Sequence, residues 1–557
     1  MGYDDVISLL GDFGRYQRRI YFLLCLPAIL CAFHKLGNVF MIAEPDYRCT
    51  LPGESQNGTY SLNETTLADN YPWDSLRNRY STCEILVNNK SEKCESHIFD
   101  HALYGYTAVI EFGLTCTKAY LIATSNSLFM VGVMLGSIVF GDMSDRFGRK
   151  IIFFISLVME VVFGILAAIA PEFWTFTFAR LIVGATTSGV FLVAYVIGLE
   201  MVGPSKRPLA GTICHMFFSI GYMLTALFAL YIPHWRYLQF ALTIPGVIFL
   251  SYWWFIPESA RWLLSKNKTT EAKKLIQIAA KSNKVTISDD TLDMLLVSAE
   301  EELGINTKKS ENTGTVLDLF RYPNLRKKSL IIFFDWFANN ITYYGLSWNT
   351  NNLGGNPYLN FVISGAVEIP AYAFLLLTLN RWGRRNVMCG CMSVAGTALL
   401  LTMAVPKDQQ WLIVTLAMIG KLAITASYAA VYIFSSEQFP TVIRNAGIGA
   451  GSTCARVGSI IAPYMNILTH VWQPLPLLIY GSLALMGGIL SLVLPETLNK
   501  KLPETIEEGE AFGKKSKIVS TGNGNALNAI SGVTTNGSAN ESGTTCEEKL
   551  LHNGATT

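Results

Sequence analysis

The chain alternates long apolar runs with short polar segments, and this pattern predicts a membrane protein. The runs are roughly 20 residues long, the length at which an α-helix crosses the hydrocarbon core of a bilayer. We count roughly twelve of them, at 20–42, 119–140, 151–171, 174–196, 209–231, 237–257, 329–350, 357–379, 386–405, 411–434, 446–468 and 475–494. A charged segment, 258–328, divides them six and six. The expectation is an all-α membrane protein with twelve transmembrane helices in two six-helix halves, 20–257 and 329–494.

Basic residues favour one topology. Arg15, Arg18 and Arg19 precede the first run, which places the N-terminus, 1–19, in the cytoplasm by the positive-inside rule. The first run is too long for the core of a signal peptide and lacks a clear small-residue cleavage site, so it is interpreted as a retained span. An even number of spans returns the C-terminus to the cytoplasm, together with the linker 258–328. The tail 495–557 is rich in Ser, Thr, Asn and Gly toward its end, so we expect it to be largely disordered.

The long loop 43–118 is then extracellular. Its four cysteines predict two disulfides but leave three pairings open, and three of its asparagines are glycosylation sequons. The cysteines are Cys49, Cys83, Cys94 and Cys116, and the sequon residues are Asn57, Asn63 and Asn89.

Composition and motifs argue against a soluble protein or an enzyme. The 557 residues are 51% hydrophobic and 15% charged, and a net charge of +2 gives no indication of nucleic-acid binding. His97 and His101 have a metal-ligand spacing, but no third ligand is evident. The segment 509–514 falls one residue short of a phosphate-binding loop and lacks the following Ser or Thr. No catalytic residue, metal or cofactor is predicted.

Several short motifs occur twice at a long, nearly constant interval. The segment 145–150, DRFGRK, recurs as 380–385, NRWGRR, while Pro-Glu-Ser at 257–259 recurs as Pro-Glu-Thr at 495–497. Such repeats indicate two similar membrane halves with a transport path between them. We expect a gating set in the repeated loops, with Glu200 and its counterpart Glu437 pairing with the arginines and stabilising an outward-facing arrangement. The set is Asp145, Arg146, Arg149, Glu200, Arg381, Arg384, Arg385 and Glu437.

These motifs resemble a known family. The segment 141–150, GDMSDRFGRK, resembles the signature between helices two and three of the major facilitator superfamily. Together with the long loop and 255–263, FIPESARWL, it is similar to the organic cation, carnitine and organic anion transporter family. The segments 367–372, VEIPAY, and 439–444, FPTVIR, most resemble its carnitine/zwitterion and invertebrate organic cation branch. The likeness extends from the N-terminus to about residue 505 and implies the facilitator fold and a plasma-membrane location.

Ionisable residues inside spans are costly and are therefore candidates for function. The resemblance implies that Arg456, in helix eleven, anchors a substrate carboxylate, because the classical cation transporters hold an aspartate there and the anion and carnitine branches an arginine. The alternative is a structural ion pair of Arg456 with Glu368 or Asp335. Glu368 is otherwise the partner of a cationic group, and Lys421 contacts an anionic group or a neighbouring acid.

Aromatic residues in the spans offer surfaces for a quaternary or protonated amine. Tyr195 and Tyr343 match family positions associated with substrate binding. Weaker candidates, whose ordinary role would be packing, are Phe191, Trp348, Tyr372, Tyr428 and Tyr432.

We therefore expect a plasma-membrane transporter of organic cations or carnitine-like zwitterions that works by alternating access. Sodium coupling stays open, because Glu437 occupies a position that bears on sodium dependence but occurs in uncoupled members too. An organic anion exchanger is the first rival, weakened by Tyr372, where some anion transporters place a lysine. A polytopic membrane receptor is the second rival. The sequence does not specify the substrate.

Overall fold

The computed structural model describes residues 3–55, 58–74, 79–88, 90–308, 316–406 and 408–513. Long helices dominate the described chain, and eight of them are long and apolar enough to cross a membrane. In chain order we number the long helices 1 to 12: Arg15–Met41, Cys116–Phe147, Arg149–Ile169, Phe173–Glu200, Pro204–Tyr231, helix 6 as Trp235–Thr243 with Pro245–Leu250, Pro323–Trp348, Pro357–Trp382, Arg384–Ala404, Gln410–Gln438, Arg444–Ile467 and Leu475–Ser491.

Successive helices run in opposite directions between two faces of the molecule. We call the face that carries the loop 43–118 the disulfide face. The opposite face carries the turns at Gly148 and Gly383, and we call it the basic face. Both glycines have positive φ angles, +115° and +89°, which other residues rarely adopt. A Cβ atom at either one would also meet a carboxylate, that of Glu258 or Glu496.

Helix 2 continues past its apolar run, which corrects the predicted loop 141–150. Asp142 and Asp145 lie in the last turns of the helix, where they pair with Arg146 and Arg149 four residues on. The Asp142–Arg146 pair, which lies within the helix, stabilises its last turns after the apolar stretch, whereas Asp145–Arg149 crosses the turn to helix 3. The connection to helix 3 is therefore the single residue Gly148.

Helices 2 and 4 pack at unusually short range. Gly132 and Gly136 lie against the backbone of Leu181 and Ala185, so that a side chain at either glycine would collide with helix 4. Small residues permit this approach in membranes, where packing rather than the hydrophobic effect holds helices together. Helices 2 and 4 are thus a close-packed pair of the first half.

Short strands build the loop on the disulfide face. Three two-stranded antiparallel sheets pair Tyr47–Cys49 with His97–Phe99, Trp73–Asp74 with Arg79–Tyr80, and Glu84–Val87 with Lys90–Lys93. The loop also contains the helices Glu64–Asn70 and Ala108–Phe112.

Two disulfides, Cys49–Cys94 and Cys83–Cys116, cross-link this loop. This is one of the three pairings that the sequence left open. His97 lies in a strand beside both disulfides rather than on a helix. The spacing of His97 and His101, which would suit two metal ligands on one helix, therefore does not indicate a metal site. The sequon residue Asn63 is exposed, whereas Asn57 and Asn89 lie outside the described residues.

Helices also occupy the segments flanking the two halves on the basic face. Tyr3–Leu9 packs with three linker helices, Ala260–Ser265, Thr269–Asn283 and Asp289–Lys308. Asp318–Arg321 precedes helix 7. The first part of the predicted tail carries Ile506–Ala511, and Glu510 accepts hydrogen bonds from the backbone N–H groups that open helix 7. Residues 514–557, where we expected disorder, lie outside the described residues.

Candidate functional site

A carboxylate network surrounds the first basic turn. The backbone N–H groups of Arg149 and Lys150 donate to Glu258 at 3.0 and 3.1 Å, which satisfies the first donors of helix 3. The Arg149 guanidinium lies 2.7 Å from Asp145 and 3.5 Å from Glu200. The network therefore ties together the basic ends of helices 2, 3 and 4 and the segment after helix 6.

The second half repeats this network almost group for group. The backbone N–H groups of Arg384 and Arg385 donate to Glu496 at 2.9 and 3.0 Å. The Arg384 guanidinium lies 3.1 Å from Glu437, which also accepts the Thr497 hydroxyl at 2.5 Å. The repeated sequence motifs thus fold into a repeated hydrogen-bond pattern.

Each network lies entirely within its own half, so neither one links the two halves as a gate would. Glu200 and Glu437 contact the arginines of their own halves, as expected, but neither pair connects the halves in this structure. Asp145, Arg146 and Arg381 remain exposed on the basic face. Their part in gating stays a prediction.

The two repeated carboxylates differ in environment. Burial raises the pKa of Glu258 above its ordinary 4.5, and the backbone donors oppose that shift only in part. Burial also acts to raise the pKa of Glu496, but there the N–H groups of Leu498, Arg384 and Thr497 outweigh it and the pKa is lowered.

A buried ion pair lies at the centre of the second half. Glu368 on helix 8 and Lys421 on helix 10 are 0% and 1% exposed, and their charged atoms are 3.2 Å apart. Glu368 also accepts the hydroxyls of Tyr343 and Ser219, each at 2.7 Å. Lys421 donates to Ser347 at 2.5 Å and lies 3.4 Å from the centroid of the Tyr343 ring. The carboxylate is thereby neutralised within the protein.

Arg456 forms neither of the ion pairs that the sequence left open. Among the described residues no carboxylate lies within 4 Å of its guanidinium, because Glu368 pairs with Lys421 and Asp335 accepts the Ser491 hydroxyl. Its Nε atom is buried without a hydrogen-bond partner in the described chain. The guanidinium therefore keeps binding capacity that the described protein does not use.

Aromatic rings lie in the same region as the Glu368–Lys421 pair and Arg456. Tyr343 stacks on Tyr428 at 5.6 Å, and Tyr428 meets Tyr432 edge-on at 5.9 Å. Tyr432 is 41% exposed. From the other side, Phe191 stacks on Tyr195 at 6.2 Å. These rings form two aromatic walls, one from each half.

His215 connects the two aromatic walls, and sequence reasoning did not select it. Its ring stacks on Tyr372 at 5.6 Å and lies 5.8 and 5.9 Å from Phe191 and Tyr195. Tyr372 belongs to helix 8 and the other three residues to helices 4 and 5. Every aromatic candidate except Trp348, which lines the cavity at the disulfide face, thus lies in or beside this central region.

Lys35 is a buried cation beside the central region that the sequence analysis missed. It lies in helix 1, is 8% exposed, and its ammonium is 5.3 Å from the centroid of Phe191. The rule that selected Arg456 and Glu368, an ionisable group inside an apolar run, also selects Lys35. It applies equally to Glu160 and Arg180, which are buried in helices 3 and 4.

Contacts between the halves lie at mid-span and at the disulfide face. Ser127 donates to the Ile460 carbonyl at 2.6 Å and Asn351 to the Val39 carbonyl at 3.0 Å. At mid-span Ser219 reaches Glu368 across the interface. A cavity of about 680 Å³ lies at the disulfide face, between the loop 43–118 and the helix ends, and Asn38 and Trp348 are among its lining residues. The halves are thus joined on the side of this cavity.

Two repeated six-helix halves around a charged, aromatic centre define a secondary transporter of the facilitator fold. The family described as "Sugar (and other) transporter" matches residues 75–508. An "Organic cation transporter protein" of Drosophila melanogaster is 56% identical over 544 residues, covering 96% of this chain and 99% of that protein. The human "Organic cation/carnitine transporter 2" is 36% identical over 527 residues, covering 91% and 93%.

Solved structures agree on the fold. The xylose transporter XylE from E. coli in an inward open conformation superposes with a TM-score of 0.59 at 16% identity, covering 89% of this chain and 99% of that one. The chain belongs to the sugar (and other) transporter family of the major facilitator superfamily, in the branch of the organic cation transporters and solute carrier family 22. It is a multi-pass membrane transporter, not an enzyme, as the sequence predicted.

Proposed function

We propose that this transporter carries small organic zwitterions, with an amine at one end and a carboxylate at the other, across the plasma membrane. The observation that carries the proposal is the contrast between the two charged groups of the centre. Glu368 is fully buried and neutralised by Lys421, whereas Arg456 has no carboxylate within 4 Å among the described residues. A guanidinium in that position suits a planar carboxylate, which it binds through two parallel hydrogen bonds.

The amine end would rest on the aromatic walls. Tyr343 stacks on Tyr428 and Phe191 stacks on Tyr195, so an amine between the two walls would meet ring faces from both halves. Ring faces attract a quaternary or protonated amine without needing a free acid. The names of the relatives, organic cation transporters and an organic cation/carnitine transporter, support this substrate class.

Alternating access would proceed by rocking of the two halves. Each half is braced at its basic end by its own carboxylate network, around Glu258 and Glu200 or around Glu496 and Glu437. Such bracing lets a half move as one body. The described contacts between the halves lie at mid-span and toward the disulfide face, which supports release of substrate on the basic face from this arrangement.

We further propose that the disulfide face is extracellular and that both termini are cytoplasmic. Two disulfides in the loop are stable only in an oxidising environment. Arginines concentrate on the opposite face, as the positive-inside rule requires of the cytoplasmic side. The exposed Asn63 would then be open to glycosylation.

The test is uptake by vesicles or cells that contain the full chain. Carnitine is compared with carnitine methyl ester, which keeps the quaternary amine and lacks the carboxylate, each with and without a sodium gradient. We expect saturable accumulation with a clear preference for carnitine, and a sodium-dependent rate if Glu437 contributes to ion coupling. Equal uptake of the acid and the ester would reject the zwitterion assignment.

One observation favours a second candidate, an organic anion exchanger. The centre holds three cations, Lys35, Lys421 and Arg456, and among the described residues only Lys421 has a carboxylate within 4 Å. An excess of positive charge suits a substrate with two acidic groups. Uptake of a dicarboxylate that exceeds uptake of carnitine would favour this candidate.

A further inference from the structure

The cavity at the disulfide face is separate from the charged centre. Its volume of about 680 Å³ lies within the range of about 300–1,000 Å³ that is usual for sites of small ligands. Asn126 on helix 2 and Pro463 on helix 11 line it. Ser127 and Ile460, which lie further along these helices toward the centre, join the halves by a hydrogen bond. The halves therefore meet between the cavity and the centre, so a ligand in the cavity would not occupy the site around Arg456.

The lining of this cavity includes two buried polar side chains that lack a partner. Asn38 and Trp348 are 3% and 9% exposed, and they belong to helices 1 and 7, one in each half. The Asn38 amide donates to Asn126 at 2.5 Å, but its Oδ1 atom has no hydrogen-bond partner in the described chain, and neither has the Trp348 Nε1 atom. Leaving a buried donor or acceptor unpaired costs free energy. Both groups therefore favour a ligand with a hydroxyl, which can donate and accept.

Acidic residues outnumber basic ones around the cavity. Three carboxylates line it, those of Glu44, Asp46 and Asp100, and the basic residues among the lining are Arg79 and His470. Glu44 and His470 come from different halves and approach to 3.4 Å, and the histidine is charged only when protonated. A cleft with an excess of one charge attracts ligands of the opposite charge. The lining therefore favours a cation and disfavours the carboxylate that we assign to the centre.

Aromatic side chains complete the lining. Tyr47 and Tyr104 come from the loop 43–118, Trp348 from helix 7, and Trp472 from the segment after helix 11. Trp472 is 47% exposed, which places it toward the solvent. Ring faces bind quaternary and protonated amines. Carboxylates and rings together are the features that recognise an aromatic organic cation.

We propose that this cavity is a second binding site, which takes an aromatic organic cation with a hydroxyl group and inhibits transport when it is occupied. The cation would lie among Asp46, Asp100 and the rings, and the hydroxyl would bond to Asn38 and Trp348. Because the lining comes from both halves, the ligand binds best to the arrangement in which these surfaces face each other. It thereby opposes the rocking that separates the halves on this face, and additional substrate does not displace it.

The first test compares two probes that share a trimethylammonium group on a benzene ring. Hydroxyphenyl-trimethylammonium carries the hydroxyl, and phenyltrimethylammonium lacks it. Each is titrated against the purified full chain, and binding is measured as the increase in the thermal unfolding temperature. We expect the hydroxyl probe to bind about 2- to 10-fold more tightly, the gain typical of one hydrogen bond. Equal affinity of the two probes would contradict the proposal.

The variant Trp348→Phe tests the polar part of the site. It keeps an aromatic ring and removes the Nε1 donor, so it should reduce the advantage of the hydroxyl probe. Binding of phenyltrimethylammonium should change little, which shows within the same experiment that the variant is folded. An advantage of the hydroxyl probe as large as in the wild type would reject the bond to Trp348.

Neutralising two carboxylates tests the cationic part of the site. Asp46→Asn combined with Asp100→Asn should weaken both probes by about 2- to 10-fold, as expected for charges near the surface. The asparagine at position 100 can still accept the Ala102 N–H group, as Asp100 does at 2.9 Å. The matched control is Asp69→Asn, an exposed carboxylate of the same loop outside the cavity lining, which should leave both affinities unchanged. Wild-type affinities in the double variant would reject this site.

Inhibition of uptake separates this site from the centre. Uptake by cells is measured over a range of carnitine concentrations, with the hydroxyl probe added outside. We expect the probe to lower the maximal rate, and the double variant of Asp46 and Asp100 to need more probe for the same effect. A higher KM at an unchanged maximal rate would show competition at the centre and would contradict the proposal. If the wild type does not take up carnitine, the proposed function fails, while the thermal titrations still decide whether the second site exists.

Discussion

The buried pair of Glu368 and Lys421 allows a quantitative prediction. At a separation of 3.2 Å and an effective dielectric constant of about 20, their attraction is about 5 kcal/mol. Most of this attraction offsets the cost of burying both charges, so the pair contributes little net stability. Removing one partner leaves the other charge buried and unpaired, which typically costs about 3–5 kcal/mol.

We expect Lys421→Met and Glu368→Gln each to lower the thermal unfolding temperature markedly. The double variant should recover much of the loss, because it leaves no unpaired charge and the glutamine can still bond to Tyr343 and Ser219. The assay is thermal unfolding of the purified chain, followed by tryptophan fluorescence in detergent. The exposed pair Lys268–Glu271 is the matched control, and its neutralisation should change the transition little.

The double-mutant cycle decides the outcome. A double variant as unstable as the sum of the two single variants would show that Glu368 and Lys421 do not compensate each other. In that case Glu368 would be free to bind a cationic substrate group, as the sequence first suggested. The neutralisation of Glu368 by Lys421, on which the zwitterion proposal depends, would then be refuted.

Three further predictions follow from contacts outside the centre. Glu258→Ala and Glu496→Ala each remove hydrogen bonds to the first turn of a helix and should each cost about 1–2 kcal/mol in thermal unfolding; a loss in only one half would contradict the repeat. Cys83→Ser removes one disulfide and should destabilise the loop by about 2–5 kcal/mol. The measurement is surface biotinylation, which should show less protein at the cell surface. A wild-type amount at the surface would contradict this prediction. Hydrogen bonds from Arg48 lower the pKa of Glu54 below 4.5, so the loop loses that stability as the pH falls through the lowered pKa. Limited proteolysis should show this acid sensitivity, and Glu54→Gln should abolish it; an unchanged pH profile in that variant would reject the assignment.

The repeated features were predictable because they are local. Glycine between two helices, basic residues after it and a Pro-Glu motif at the end of each half specify turns and caps whose partners recur at one interval. The structure brings Arg149 to Glu258 and Arg384 to Glu496 for this reason. The length of the apolar runs likewise predicted the fold, because bilayer thickness sets the length of a spanning helix.

The pairings in the centre were not predictable in the same way. Whether Glu368 meets Lys421 or Arg456 depends on the rotation and axial shift of helices 8, 10 and 11, which no local pattern specifies. The disulfide pairing similarly depends on how the three short sheets fold together. Lys35 was overlooked although its signal, a lysine inside an apolar run, is as clear as that of Arg456.

The central claim is that Arg456 selects substrates by their carboxylate. The most direct measurement is uptake of carnitine and its methyl ester by Arg456→Asp, normalised to protein at the cell surface. Reversing the charge should abolish carnitine uptake and should preserve or increase uptake of the ester, because an aspartate beside Tyr428 and Tyr432 attracts a cation. Equal loss of both substrates, or carnitine transport that persists at the wild-type KM, would contradict the account.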